Sequence, residues 1–247
     1  MDFNYIKQRK ERTHEFLRGY KTDHFFSEFK KEHPRIDCST AVDVIMSHMG
    51  NSYRIGDFLQ GKPKASPNVR PIDIVDVQGL IALDEIFEQK KTEEDYVLFR
   101  GGHYGNLDDW HESGGINSFT TSTDQARRHG VPHCVFIPKG TGLIYAEKHN
   151  PFRCNDINDM GSEDEILLPP IKIRKLSIEN MPKLVRSEPF ARETESEIWH
   201  SNIFAEVKPS GVTLKELAKK AILKLEHDVN NFEDKWELNH MKGILGI

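Results

Sequence analysis

The sequence predicts an α+β fold, a mixed β core preceded by helices and followed by one long C-terminal helix. Three observations carry this expectation. Short apolar runs of strand length, Tyr96 to Phe99 and residues 133–138, 142–146, 165–168, 171–176 and 201–208, crowd the middle of the chain. Apolar residues at three- and four-residue spacing are concentrated toward the two ends, residues 4–90 and 213–236. Residues 62–71 hold three prolines in ten and read as a linker.

Taken in order, residues 4–20 form a moderately amphipathic helix around Tyr5, Ile6, Phe16 and Leu17. Residues 22–33 follow with Phe25, Phe26 and Phe29 on one face, stopped by Pro34. Ser39 or Thr40 caps a helix through Met49 that Gly50 closes, and Tyr53 to Leu59 is a further short helix. Beyond the linker, Ile72 to Lys90 carries eight apolar residues from Ile74 to Phe87 and reads as a longer helix. Asp124 to Gly130 is a short helix with a glycine stop. In the tail, Thr213-Leu214-Lys215-Glu216 is a capping box. It opens an apolar stripe of Leu214, Leu217, Ala218, Ala221, Ile222, Leu225, Val229, Phe232 and Trp236. The expected organisation is a helical subdomain with its linker over 1–71, a core over 72–208 and a helical extension over 209–247.

Composition narrows the function classes. With 247 residues, 37% hydrophobic and 30% charged, the chain is sized for one large globular domain with additions. No apolar run reaches membrane-spanning length and the first twenty residues are charged throughout. The expectation is a cytoplasmic protein, of the producing cell or of a target cell after delivery, without a membrane partner. Cys38, Cys134 and Cys154 are odd in number and widely spaced, which points to reduced thiols. His129 and His133 are four apart, but Val131-Pro132 breaks the helix that would align them, and no metal site is expected. A net charge of −5 argues against broad phosphate neutralisation, although the first helix is locally basic. No G-x-G-x-x-G opens a helix after a strand, which argues against a Rossmann dehydrogenase.

Three motifs carry chemistry. Tyr96-Val97-Leu98-Phe99-Arg100-Gly101-Gly102 is an apolar strand ending in a guanidinium and two glycines, suited to an anionic ligand that approaches the backbone closely. Ser118-Phe119-Thr120-Thr121-Ser122-Thr123 is a hydroxyl-rich strand with one large aromatic. Glu163-Asp164-Glu165-Ile166-Leu167-Leu168-Pro169-Pro170 sets two glutamates at alternate positions just before a buried strand. The loop from Gly101 to Gly115 adds His103, Tyr104, Trp110 and His111, aromatic groups that could enclose a flat ligand or tuck into the core.

In this order and spacing the motifs resemble the mono-ADP-ribosyltransferases of the arginine-serine-glutamate, clostridial-toxin-like class, over roughly residues 72–208. Cys134 to Thr141 is similar to that family's middle strand and Pro-x-Gly turn. Where the family usually has serine first in its hydroxyl triplet, this chain has Thr121, which keeps the hydroxyl and adds a methyl and a stiffer rotamer. The resemblance implies a core of two packed sheets and NAD as co-substrate, with no metal. It implies Glu165 as the carboxylate at the ribose, oriented by Thr121, and Arg100 as the pyrophosphate clamp. Gly101 would offer backbone bonds to the nicotinamide amide, with Phe119, Ser122 and Thr123 supporting the cofactor site. Glu163 would meet the acceptor and take its proton, and Phe152 would sit on the acceptor loop of residues 150–161.

A glutamate two places before the catalytic one goes, in that family, with arginine acceptors, so arginine of a target protein is the leading acceptor of a toxin, effector or phage-type modifier. The alternatives are a DNA or RNA base, and water, which would make the protein an NAD glycohydrolase. A degenerate binding module fits poorly with Arg100, the hydroxyl triplet and both glutamates all in place. The terminal helical stripe packs on its own domain or docks a neutralising partner.

Overall fold

The structure, a computed structural model, describes residues 31–49, 54–62, 72–102, 109–145, 165–176, 203–226 and 232–247. The helices expected over 4–20 and most of 22–33, the linker from residue 63, the acceptor loop, Glu163 and Phe152 lie outside them. The described helices are α1 (Cys38–Met49), α2 (Arg54–Leu59), α3 (Ile74–Gln89), α4 (Thr123–Arg128), α5 (Leu214–Leu225) and α6 (Phe232–Leu245). The strands are β1 (Tyr96–Gly101), β2 (His111–Glu112), β3 (Asn117–Thr120), β4 (Pro132–Ile137), β5 (Ile144–Tyr145), β6 (Glu165–Leu168), β7 (Ile171–Lys175) and β8 (Ile203–Pro209).

All eight strands belong to one mixed sheet in the order β2-β7-β8-β4-β1-β3-β6-β5. Where two packed sheets were expected, the strands form a single hydrogen-bonded sheet, and the way it folds on itself follows from the shortest connection. β6 and β7 are joined only by Pro169 and Pro170, yet four strands stand between them in the sheet. A flat sheet would separate them by about 24 Å, whereas a two-residue link reaches about 10 Å. The sheet therefore curls until its two halves face each other. Leu98, Phe119, Val135, Ile166, Leu168, Ile171, Ile173, Ala205 and Val207, drawn from both halves, form one buried inner cluster.

The outer face is covered by helices. Val97, Phe99, Cys134 and Phe204 pack there with Ala126 of α4. Ile144 and Leu167, at the other end of the sheet, join the large cluster built by α1, α2, α3, α5 and α6. The described N-terminal helices thus share their core with both the 72–208 segment and the C-terminal extension. Two polar ties reinforce this packing. Arg54 of α2 is buried against Asp76 of α3, with its second nitrogen 2.7 Å from Asp76 Oδ1 and 3.0 Å from Ser47 Oγ. Asp84 of α3 accepts the N–H groups of Leu214 and Lys215 at 2.8 and 2.7 Å, satisfying donors that the first turn of α5 leaves open.

The capping box at Thr213 and Glu216 forms as expected, and Asp73 with Asp76 makes a second one at the start of α3. The single long C-terminal helix is corrected to two. α5 ends at Leu225 and α6 starts at Phe232, and five of the six residues between, His227-Asp228-Val229-Asn230-Asn231, are weak helix formers. The apolar phase changes with the break: Leu238, Met241 and Leu245 are buried in α6, whereas Trp236 is 61% exposed.

Candidate functional site

The site begins with a row of three residues across three neighbouring strands. Phe99 of β1 pairs with Thr120 of β3, and Thr120 pairs with Glu165 of β6. Strands carrying the arginine, the hydroxyl run and the glutamate are therefore hydrogen-bonded neighbours, although far apart in sequence. β1 lies centrally because its apolar run Tyr96 to Phe99 is buried on both faces, with antiparallel partners in β3 and β4.

Directly opposed residues share a face, so Phe99, Thr120 and Glu165 point outward together. Arg100, one residue on from Phe99, points to the inner face. Its guanidinium lies 5.3 Å from the centroid of the Phe119 ring and donates to Asn117 Oδ1 at 2.9 Å. Arg100 and Phe119 are thus brought together, whereas the Arg100 guanidinium and Glu165 leave the sheet on opposite sides of β3. A ligand touching both must pass around β3 where the strand ends after Thr120.

The hydroxyl run closes that strand end. Thr120 Oγ1 accepts the amide of Ser122 at 3.1 Å, and Ser122 caps α4 by accepting the amide of Gln125 at 3.3 Å. Thr121 and Thr123 are buried, each 2% exposed. The residue opposite Glu165 in register is Thr120, with Thr121 one position beyond the strand. Gly101 has a packing reason of its own: a Cβ there would fall 1.8 Å from the carbonyl oxygen of Ala126 in α4. The strand end is held further by His133, whose Nδ1 donates to the Arg100 carbonyl at 3.3 Å.

Beside Arg100 is a cavity of about 270 Å³, lined among others by Gly56 of α2, Gln60 just after it, His111, Ser113, Gly115 and Asn117. Its guanidinium, amide and hydroxyl groups and glycine backbone offer donors to an anionic group, and the Glu112 carboxylate, paired with Lys172 at 2.9 Å, is also on the wall. Trp110, from the aromatic loop, is instead covered by two cations, with Arg174 at 4.6 Å and Lys208 at 4.0 Å from its ring centroid.

Two residues at the site were not singled out from sequence. Asn117 stands two places before Phe119, so strand alternation alone puts it on the Arg100 face. His48 comes from α1, seventy positions before its partner Ser118, with no local signal to mark it. Its Nε2 lies 2.8 Å from Ser118 Oγ, and burial, reinforced by the charge of Arg100, lowers its pKa to about 4. Among the described residues no cluster of three potential metal ligands occurs, and no helix is long and apolar enough to cross a membrane.

No family model and no curated protein matches the sequence. Among solved structures, the chain overlaps exoenzyme S from Pseudomonas aeruginosa, in complex with human 14-3-3 protein beta and bound to carba-NAD. That overlap has 13% identity and a TM-score of 0.42 over 73% of this chain and 78% of that one. The C3 exoenzyme of Clostridium limosum overlaps at 15% identity and a TM-score of 0.43, covering 69% of this chain and 85% of that one. C3stau2 from S. aureus with NAD gives 14% identity and a TM-score of 0.42, over 70% and 88%. Overlaps of this depth leave the assignment to the residues of the site.

Proposed function

We propose that the protein is an enzyme, an NAD-dependent mono-ADP-ribosyltransferase that cleaves the bond between nicotinamide and ribose C1′ and joins ADP-ribose to a macromolecular acceptor. The observation that supports this reading is the row Phe99, Thr120, Glu165, which makes neighbours of the three strands bearing its motifs. Neighbouring strands are about 5 Å apart, so an extended dinucleotide can reach from Arg100 around the end of β3 to Glu165.

On this reading Arg100 binds a phosphate of NAD from the cavity wall, and Phe119 backs the guanidinium. Glu165 faces the nicotinamide ribose. As the glycosidic bond lengthens, positive charge develops at C1′, and a nearby carboxylate lowers the energy of that oxocarbenium-like state. The electron pair of the bond leaves with nicotinamide. On this reading Thr121 orients the carboxylate at the ribose, and Ser122 supports the site by capping the helix that follows the strand. Glu163, two residues before Glu165, takes the acceptor's proton. Its identity as glutamate favours the guanidinium of a protein arginine as acceptor. Phe152 is assigned to acceptor recognition from its place in the sequence.

Transfer of label from adenylate-labelled NAD into a cell lysate, followed by protease or nuclease, tests the reading. Protease-sensitive label in wild type that disappears in Glu165→Gln is the expected result. Label removed by nuclease would make a nucleic-acid base the acceptor. Free ADP-ribose without adduct would make the protein a glycohydrolase, and untouched NAD would overturn the assignment.

A further inference from the structure

Asn117 is buried, at 2% exposure, and every polar atom of its side chain is engaged. Its Nδ2 lies 2.7 Å from Ser113 Oγ, 2.8 Å from the Gly115 carbonyl and 3.0 Å from the Pro169 carbonyl, and its Oδ1 accepts from Arg100 at 2.9 Å. The direction of the amide follows from chemistry. Carbonyl oxygens only accept, so the end facing Gly115 and Pro169 must be the NH2 group, and the oxygen is left for the guanidinium. Ser113 is settled in turn. Its hydroxyl donates to the Ile171 carbonyl at 3.0 Å and accepts from the Ile171 amide at 3.0 Å and from Asn117. The amide is therefore locked from three sides, including the short Pro169-Pro170 link that brings the halves of the sheet together.

We propose that Asn117 is a positioning residue for Arg100, holding the guanidinium at the cavity wall, toward a phosphate group of the ligand, through an uncharged acceptor. This rests on the reading of Arg100 as the phosphate-binding residue of an NAD-dependent transferase. The residue type is what the role requires. An aspartate would present carboxylate oxygens to two carbonyls and cancel the charge of Arg100. A serine or alanine would let the long arginine side chain regain its rotamers. Only an amide of this length donates on one side and accepts, uncharged, on the other.

The test uses the full chain and steady-state release of nicotinamide from NAD, with thermal unfolding to check the fold. Asn117→Asp and Asn117→Ala are expected to raise KM about tenfold, the size of one lost charge-assisted bond, and to change kcat far less. The same substitutions placed on Arg100→Ala should add nothing, because the residue acts through the guanidinium. Should the Asn117 variants fail to fold, Ser113→Ala, which withdraws one support of the amide, carries the test and is expected to raise KM about threefold. An unchanged KM in a folded variant, or a full additional loss on the Arg100→Ala background, overturns the inference while leaving the transferase reading intact. Absence of NAD cleavage by the wild type overturns both.

Discussion

His48 Nε2 and Ser118 Oγ lie 2.8 Å apart, joining helix α1 to strand β3 immediately beside the Arg100 strand. This contact ties the N-terminal helices to the site. The pKa of His48 is lowered from 6.5 to about 4 by burial and by the nearby Arg100 charge.

The sign of the resulting pH dependence follows from that depression. Below pH 6.5 the unfolded chain binds a proton at His48 that the folded chain refuses until about pH 4. Folding stability therefore falls as pH drops through this window, by roughly 1.4 kcal/mol per pH unit from this residue. Urea unfolding of wild type and His48→Gln between pH 7 and 4 should show a flatter profile for the variant. Parallel profiles would mean that His48 does not titrate in this window.

Gly101→Ala should destabilise by about 3 kcal/mol, at the upper end for overpacking. Its Cβ would meet the Ala126 carbonyl at 1.8 Å and the His129 Cβ at 2.9 Å, pushing β1 away from α4. Gly56→Ala in α2 is the control, since nothing lies within 4 Å of its added Cβ. It should stabilise by about 0.5–1 kcal/mol through helix propensity. Thermal or urea unfolding of the two variants checks the opposite signs.

Arg54→Met should cost about 3–5 kcal/mol, because it leaves the Asp76 carboxylate buried without its cation. Arg54→Met with Asp76→Leu should recover part of the loss, although Asp76 also accepts the Asp73 amide in the capping box at 2.9 Å. Equilibrium unfolding of both variants measures the recovery.

Trp236→Ser should change stability by less than about 0.5 kcal/mol, the usual scale for an exposed position. Leu238→Ala, two residues on, should cost about 2–5 kcal/mol. Their exposures, 61% and 5%, reverse what a continuous helical stripe ending at Trp236 implies. Equal losses in unfolding experiments would restore the unbroken helix.

Local signals carried a large part of the description. Strand runs of β-branched and apolar residues, the Thr213 capping box and the glycine stop after α4 are rules of neighbouring residues, and the corresponding elements lie close to where those rules put them. The order of the three chemical motifs was also legible, because each is a run of a few adjacent residues. Asn117 could have been found, since alternation alone places it on the face of Phe119.

Neighbouring residues therefore specify the kind of most elements and the residue types at the site. Those follow from backbone preference and side-chain period over a few residues. Long-range packing sets Phe99, Thr120 and Glu165 in one row, turns Arg100 inward to Asn117 and brings His48 to Ser118. It also decided that one curled sheet replaces two, because a two-residue proline link must join strands with four others between them. Such outcomes depend on chain reach, register and which apolar faces meet, and no window of neighbouring residues holds that information.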